Sequence, residues 1–199
     1  MLVGLLADTH VPYRAAGLPP EILDSLRGVD LILHAGDVDE PWALAPLREL
    51  APVYAVRGNY HLLECSSGGH TLPASVEIEV AGFQIALTHG HRPGLVGLQW
   101  KIWAMLRVLA GYQAFPARDH SIARTLLRRF PQADIIIFGH THRFYQAQWG
   151  HTWLINPGAA LSTAYFGAPL EPTLAQLQLE SGKPPQIRRL TPFSRTYSK

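Results

Sequence analysis

The chain has 199 residues, 47% of them hydrophobic, and a net charge of +2 at pH 7 with its histidines neutral. That length and apolar content suit one domain with a sizeable core. The weak, scattered positive charge gives no reason to expect a nucleic-acid partner, although it leaves a local groove open, and the single cysteine, Cys65, excludes an internal disulfide and fits a reducing compartment.

Residues 2–7 are apolar, lack a basic flank and run straight into Asp8, so they read as a first strand and not as a signal peptide. No apolar run approaches the roughly 20 residues that a membrane helix needs. The expectation is a soluble cytoplasmic protein with no membrane partner. Asp8-Thr9-His10 places an acid and an imidazole two residues apart at the strand exit, where both could reach one cation; a turn aspartate beside a surface histidine is the plainer reading. Residues 19–26 predict a helix, with Pro20 in its first turn and Gly28 after its end. Residues 29–35 predict a second strand ending in Gly36-Asp37, and a carboxylate there can bridge two cations with its two oxygens. His34, inside that strand, reads as a packed or supporting histidine. A second crossover helix is expected over 42–50, starting near Pro41. Residues 53–56 form a third expected strand, which ends in Arg57-Gly58-Asn59-Tyr60-His61. Asparagine can offer its amide oxygen to a metal or simply turn the chain. Strands separated by helical segments imply βαβ units and a largely parallel sheet in this half.

The pattern then changes. Residues 76–80 and 83–87 alternate as strands around a tight turn at Ala81-Gly82, and the second runs into Thr88-His89-Gly90-His91. Residues 95–109, with Trp100, Lys101, Trp103 and Arg107, look helical and are long for a simple connection. An extra helix packed on the core, a lid and a dimer contact are the three readings of this segment. Residues 119–130 predict an amphipathic helix whose Arg124, Arg128 and Arg129 form a solvated face. Ile135-Ile136-Ile137-Phe138 is a buried strand ended by glycine, and His140 and His142 follow it. Imidazole is the commonest metal ligand, and open α/β folds collect ligands beyond the carboxyl ends of their strands. Antiparallel strands are expected over 144–149 and 152–155, then Asn156-Pro157-Gly158 and a Gly/Ala/Ser segment to Gly167. Residues 173–179 and 187–190 predict late edge strands. The expected organisation is one domain over 1–190, with an added helical segment near 95–118 and a flexible tail over 191–199.

Asp8, His10, Asp37, Asn59, His89, His140 and His142 all follow apolar strands, most of them beside glycine. Seven oxygen and nitrogen donors, one able to bridge, are what two adjacent divalent ions require. Such a pair, about 3.5–4 Å apart, clamps the attacking and leaving oxygens of a phosphoryl transfer. Donors without thiolate suit manganese, iron or zinc better than calcium.

In this order, Asp-x-His, Gly-Asp, Gly-Asn, His-Gly-His and Gly-His-Thr-His resemble the calcineurin-like metallophosphoesterase superfamily. Arg57-Gly58-Asn59, Asn156-Pro157-Gly158 and the short chain resemble its small prokaryotic phosphodiesterase branch. The resemblance implies a four-layer αββα sandwich of two facing mixed β-sheets flanked by helices. It also implies a dinuclear centre, with manganese as the first choice and iron, zinc or nickel as others. One metal would take Asp8, His10, Asp37 and His142; the other would take Asp37, Asn59, His89 and His140. A metal-bound hydroxide would attack a small phosphodiester in line. The catalytic candidates are Asn59, His61 and His91, the last orienting a ligand or touching phosphate. The chain departs from the family at Asn59-Tyr60-His61. Many members place histidine directly after the asparagine as proton donor, whereas here Tyr60 takes that position, so His61 as general acid is an open assignment. A scaffold resembling the retromer subunit and a nuclease are the competing readings, and homo-oligomerisation stays open.

Overall fold

The computed structural model describes residues 1–58, 71–90, 115–161, 163–165 and 168–193, and the statements that follow concern these. Strand alternation decides how the layers stack. In β1 (Leu2–Leu6), Val3 and Leu5 face one apolar layer while Leu6 faces another. Neighbouring side chains on a strand point to opposite faces, so a strand apolar at every position needs cover on both sides. β2 (Leu31–His34) repeats this, with Leu31 and Leu33 on the face of Val3 and with Ile32 on that of Leu6.

One five-stranded sheet runs β12 (Gln186–Leu190), β11 (Leu174–Gln178), β1, β2 and β3 (Val53–Ala55). β1, β2 and β3 are parallel, while β11 and β12 pair antiparallel at the other side. The second runs β4 (Ser75–Val80), β5 (Phe83–Thr88), β6 (Ile135–Ile137), β8 (Thr152–Pro157) and β7 (Phe144–Trp149). Here β5, β6 and β8 are parallel, and β4 and β7 are antiparallel to their neighbours. The β4–β5 turn at Ala81 and Gly82 has φ of 51° and 82°, the double left-handed geometry that matches strand twist in a two-residue hairpin.

Between the sheets lie Val3, Leu5, Leu33, Ile85, Leu87, Ile135, Ile137 and Ile155. Outside the first sheet, α1 (Pro20–Ser25) packs Ile22, with the adjacent Leu26, over Leu6 and Ile32. Outside the second, α3 (Phe115–Arg129) packs Ile122, Ala123 and Leu126 over Ala86, Ile136 and Leu154. The result is the expected four-layer sandwich. Each fully buried Leu or Ile contributes about 1.5–3 kcal/mol, and the whole Ile135–Ile137 strand is inaccessible to solvent.

The expected 42–50 helix is broken. A 3-10 turn over Pro41–Leu44 precedes α2 (Ala45–Arg48). Pro46 has no amide hydrogen and is tolerated only in a first helical turn, so the α-helix must restart just before it. Of the two late strands only β12 is an edge; β11 lies between β12 and β1, which buries Leu174, Ala175 and Leu177. Within and just after the Gly/Ala/Ser segment, β9 (Thr163–Tyr165) pairs antiparallel with β10 (Ala168–Leu170), strands that the sequence reading does not assign. The segment expected at 95–118 falls outside the described residues except for its last four, which open α3, and the tail is described only to residue 193.

Candidate metal centre

Both parallel strand sets end on the same side of the sandwich, and every expected ligand among the described residues follows one of those ends. Asp8 and His10 follow β1, Asp37 follows β2, His89 follows β5, and His140 and His142 follow β6. Asp8, His10, Asp37, His140 and His142 all have left-handed backbones, with φ of 54°, 47°, 54°, 75° and 59°. Aspartate and histidine enter this region more readily than most residues, but each instance still costs about 1–3 kcal/mol and persists where its surroundings over-determine it. Five such residues at one rim mark a functional constraint.

Backbone bonds lock the loops in register. The Asp8 amide donates to Gly36 O at 2.9 Å and the His10 amide to Asp37 O at 3.0 Å. The His140 amide donates to the Asp8 carboxylate, 3.2 and 3.3 Å from its two oxygens. Gly58 is required by contact: a Cβ there would overlap Asp37 Oδ1.

Asp8, His10, Asp37 and His142, all buried, offer ligand atoms within 4.8 Å of one another. His142 Nε2 lies 3.3 Å from Asp8 Oδ1. The two Asp37 oxygens face different imidazoles, Oδ2 being 3.2 Å from His10 Nε2 and Oδ1 3.4 Å from His89 Nε2. The His89 and His140 rings are 5.2 Å apart. Asn59, His61 and His91 lie outside the described residues.

The donor chemistry fits a cation. His89 Nδ1 is 2.8 Å from Ala35 O, which can only accept, so Nδ1 carries a hydrogen. Its Nε2 faces the Asp37 and Asp8 carboxylates, at 3.4 and 4.0 Å. Imidazole nitrogens converging on carboxylates call for a positive charge between them, a metal ion or a proton. His10 Nε2 is also buried and out of line for a hydrogen bond, despite its closeness to Asp37. Burial alone would lower the His10 pKa, yet the Asp37 and Asp39 carboxylates overcome this and push it up to about 10. Burial would likewise raise the Asp37 carboxyl, but His89, His10 and His140 hold it well below the usual carboxylate range. Without a metal, a proton supplies the charge the cluster demands.

Two buried groups brace the rim. His34 Nδ1 accepts from the Gly36 amide at 3.3 Å, so its Nε2 donates to Thr9 Oγ1 at 3.1 Å. The Thr9 hydroxyl donates onward to Asp37 O at 3.4 Å, and burial lowers the His34 pKa to about 4, which keeps the ring neutral. The sequence reading of His34 as a supporting residue agrees with this placement. Asn156 was read only as part of a motif, yet its amide donates to Gly139 O at 2.8 Å and Thr141 Oγ1 at 3.0 Å, beneath the loop that carries His140 and His142. Asp39 was overlooked altogether. It is buried beside His10, and the alternation in Asp37-Val38-Asp39 was the available signal.

Comparison with known proteins gives a consistent answer. The model of the calcineurin-like phosphoesterase superfamily domain matches residues 1–182. A probable metallophosphoesterase of Methanothermobacter thermautotrophicus is 34% identical over 159 residues, which cover 80% of this chain and 77% of that protein. A probable metallophosphoesterase of Methanocaldococcus jannaschii is 31% identical over 159 residues, covering 80% and 68%. Among solved structures, zinc-complexed Vps29 from Entamoeba histolytica is similar with a TM-score of 0.65 and 24% identity, over 96% of this chain and 99% of that one. That likeness speaks for the fold alone. A solution structure of a Thermotoga maritima protein gives a TM-score of 0.57 at 25% identity, covering 96% and 98%.

Proposed function

This chain belongs to the calcineurin-like phosphoesterase superfamily, and on that premise we propose that it is a metal-dependent phosphodiesterase with a dinuclear centre acting on a small phosphodiester. The observation that carries the reading is the division of the Asp37 carboxylate, one oxygen toward His10 and the other toward His89. A carboxylate so shared is the natural bridge between two ions. Asp8, His10, Asp37 and His142 would hold the first ion; Asp37, His89, His140 and Asn59 would hold the second. When bound, two divalent ions, with manganese the first choice, lower the pKa of coordinated water and neutralise phosphate oxygens. The protein's part is to fix the donors, through the locked loop register and the Ala35 bond that sets the His89 tautomer. His91 would orient a ligand or contact phosphate, and His61 is the candidate proton donor to the leaving group. No helix among the described residues is long and apolar enough to cross a membrane.

Hydrolysis of bis(p-nitrophenyl) phosphate by chelator-stripped protein, with and without manganese, tests this reading against p-nitrophenyl phosphate. Manganese-dependent turnover of the diester well above that of the monoester supports it. Turnover of the monoester alone would replace it with a phosphatase. The second reading is a scaffold; Vps29, which shares the fold, is solved as a zinc complex, so metal binding alone does not discriminate. Protein that binds two ions per chain and turns over neither ester would favour the scaffold.

A further inference from the structure

His10 is held from both sides by carboxylates of one short stretch. Its Nε2 faces Asp37 at 3.2 Å, and its Nδ1 lies 3.3 Å from Asp39 Oδ1. The backbone builds this arrangement. The His10 amide bonds to Asp37 O, and the Glu40 amide bonds to Val11 O at 3.2 Å, so residues 37–40 are clamped alongside 10–11. Alternation does the rest: Val38 goes into the apolar layer under the first sheet, leaving Asp37 and Asp39 to the imidazole between them. Asp39 is buried, and its second oxygen, Oδ2, has no hydrogen-bond partner among the described residues.

A buried carboxylate oxygen without a partner is costly, and its retention calls for an explanation. A neutral imidazole has one N–H and one lone pair, and whichever nitrogen donates leaves the other to bind metal. We infer that Asp39 is a positioning residue that accepts the Nδ1 hydrogen of His10, and so commits Nε2 to the metal centre. The inference rests on the metal-centre reading above and adds to it a residue outside the ligand set. Asp39 is not itself within the group of four whose donor atoms converge. A carboxylate on the far side of a ligating imidazole also raises the ring's basicity toward the ion, and loss of such a partner typically weakens metal binding 10–100-fold.

The test uses zinc, which is diamagnetic. Zinc affinity and stoichiometry are measured by competition with a chromophoric chelator for the intact chain, Asp39→Asn and Asp39→Ala. Long-range proton–nitrogen spectra of the zinc-loaded intact chain report the His10 tautomer, its signals being assigned by comparison with His10→Gln. The expected result is an Nδ1–H, Nε2-bound His10, with zinc binding weakened 10–100-fold in Asp39→Ala and less in Asp39→Asn, whose amide oxygen can still accept the hydrogen. Unchanged zinc affinity in both variants, even with a lowered melting temperature, would make Asp39 a structural residue and overturn the inference. An Nε2–H tautomer in the intact chain would overturn it without any variant, which keeps the test decisive if Asp39→Ala does not fold. Intact protein that binds no zinc would overturn the metal-centre reading and this inference with it.

Discussion

The Nδ1 of His89, just past the end of β5 in one sheet, lies 2.8 Å from the carbonyl oxygen of Ala35, just past the end of β2 in the other. This bond ties the sheets together at the rim and fixes which nitrogen of His89 faces Asp37. Replacing His89 with Ala removes a ligand candidate and leaves the Ala35 carbonyl unsatisfied, a desolvation cost of about 1–3 kcal/mol. The expected outcome is a lower melting temperature together with loss of one of two bound metals per chain, read by elemental analysis. Retention of both metals would take His89 out of the centre.

Gly58 gives a sharper probe, because its missing side chain is what the Asp37 carboxylate occupies. Gly58→Ala should displace that carboxylate, lower the melting temperature, and cut metal affinity on the order of tenfold or more. The same change made in an Asp37→Ala background should cost less stability, because the oxygen it strikes is gone and only the contact with the Asp37 backbone nitrogen remains. Additive losses in that double-mutant cycle would place the cost in the backbone contact and not in the carboxylate.

The buried His34 predicts a particular acid response. Its folded pKa of about 4 lies below the ordinary histidine value of 6.5, so between these values the unfolded chain binds the extra proton. Stability is therefore complete above about pH 6.5 and falls as pH drops toward 4, by up to about 3 kcal/mol. His10, with its raised pKa, does not contribute in that window, since it is protonated in both states below 6.5. Denaturant titrations of metal-free protein at pH 7, 5.5 and 4.5 should show the slope, and His34→Gln should flatten it. An unchanged slope in that variant would assign the acid lability to other groups.

How much of this was legible in the sequence depended on the range of the interaction that decides each feature. The alternation in Val3, Leu5, Ile85 and Ile137 is local and announces a face, and the recurrence of Asp or His after apolar runs announces a rim. Pro46 also carries a local signal, the lost amide, and could have split the 42–50 helix. Asp39 carries only a weak local signal, its alternation with Asp37 across Val38, because what singles it out is a contact with His10, twenty-nine residues away in the chain. The hairpin of β9 and β10 and the interior place of β11 are likewise decided by partner strands and not by their own composition.

Asn156 is the strongest case of a residue whose neighbours, and not its own chemistry, would carry an effect on activity. Its side chain is inaccessible to solvent, donates to Gly139 O and Thr141 Oγ1, and accepts from the Gly158 amide at 2.9 Å. Asn156→Ala would strand Thr141 Oγ1 and the Gly158 amide and leave Gly139 O only the Thr141 amide, at 3.0 Å, which predicts a loss of about 3 kcal/mol and roughly 6–12 °C in melting temperature. The loop so loosened spans Gly139 to His142 and carries two of the proposed ligands. Turnover of bis(p-nitrophenyl) phosphate should then fall 10–100-fold even at temperatures where the variant stays folded, in line with the effect of other outer partners of metal ligands. Full activity in a folded but less stable variant would confine Asn156 to folding. A loss of activity restored by raising manganese would place the defect in metal affinity, whereas a loss that excess manganese does not restore would place it in how His140 and His142 are aimed.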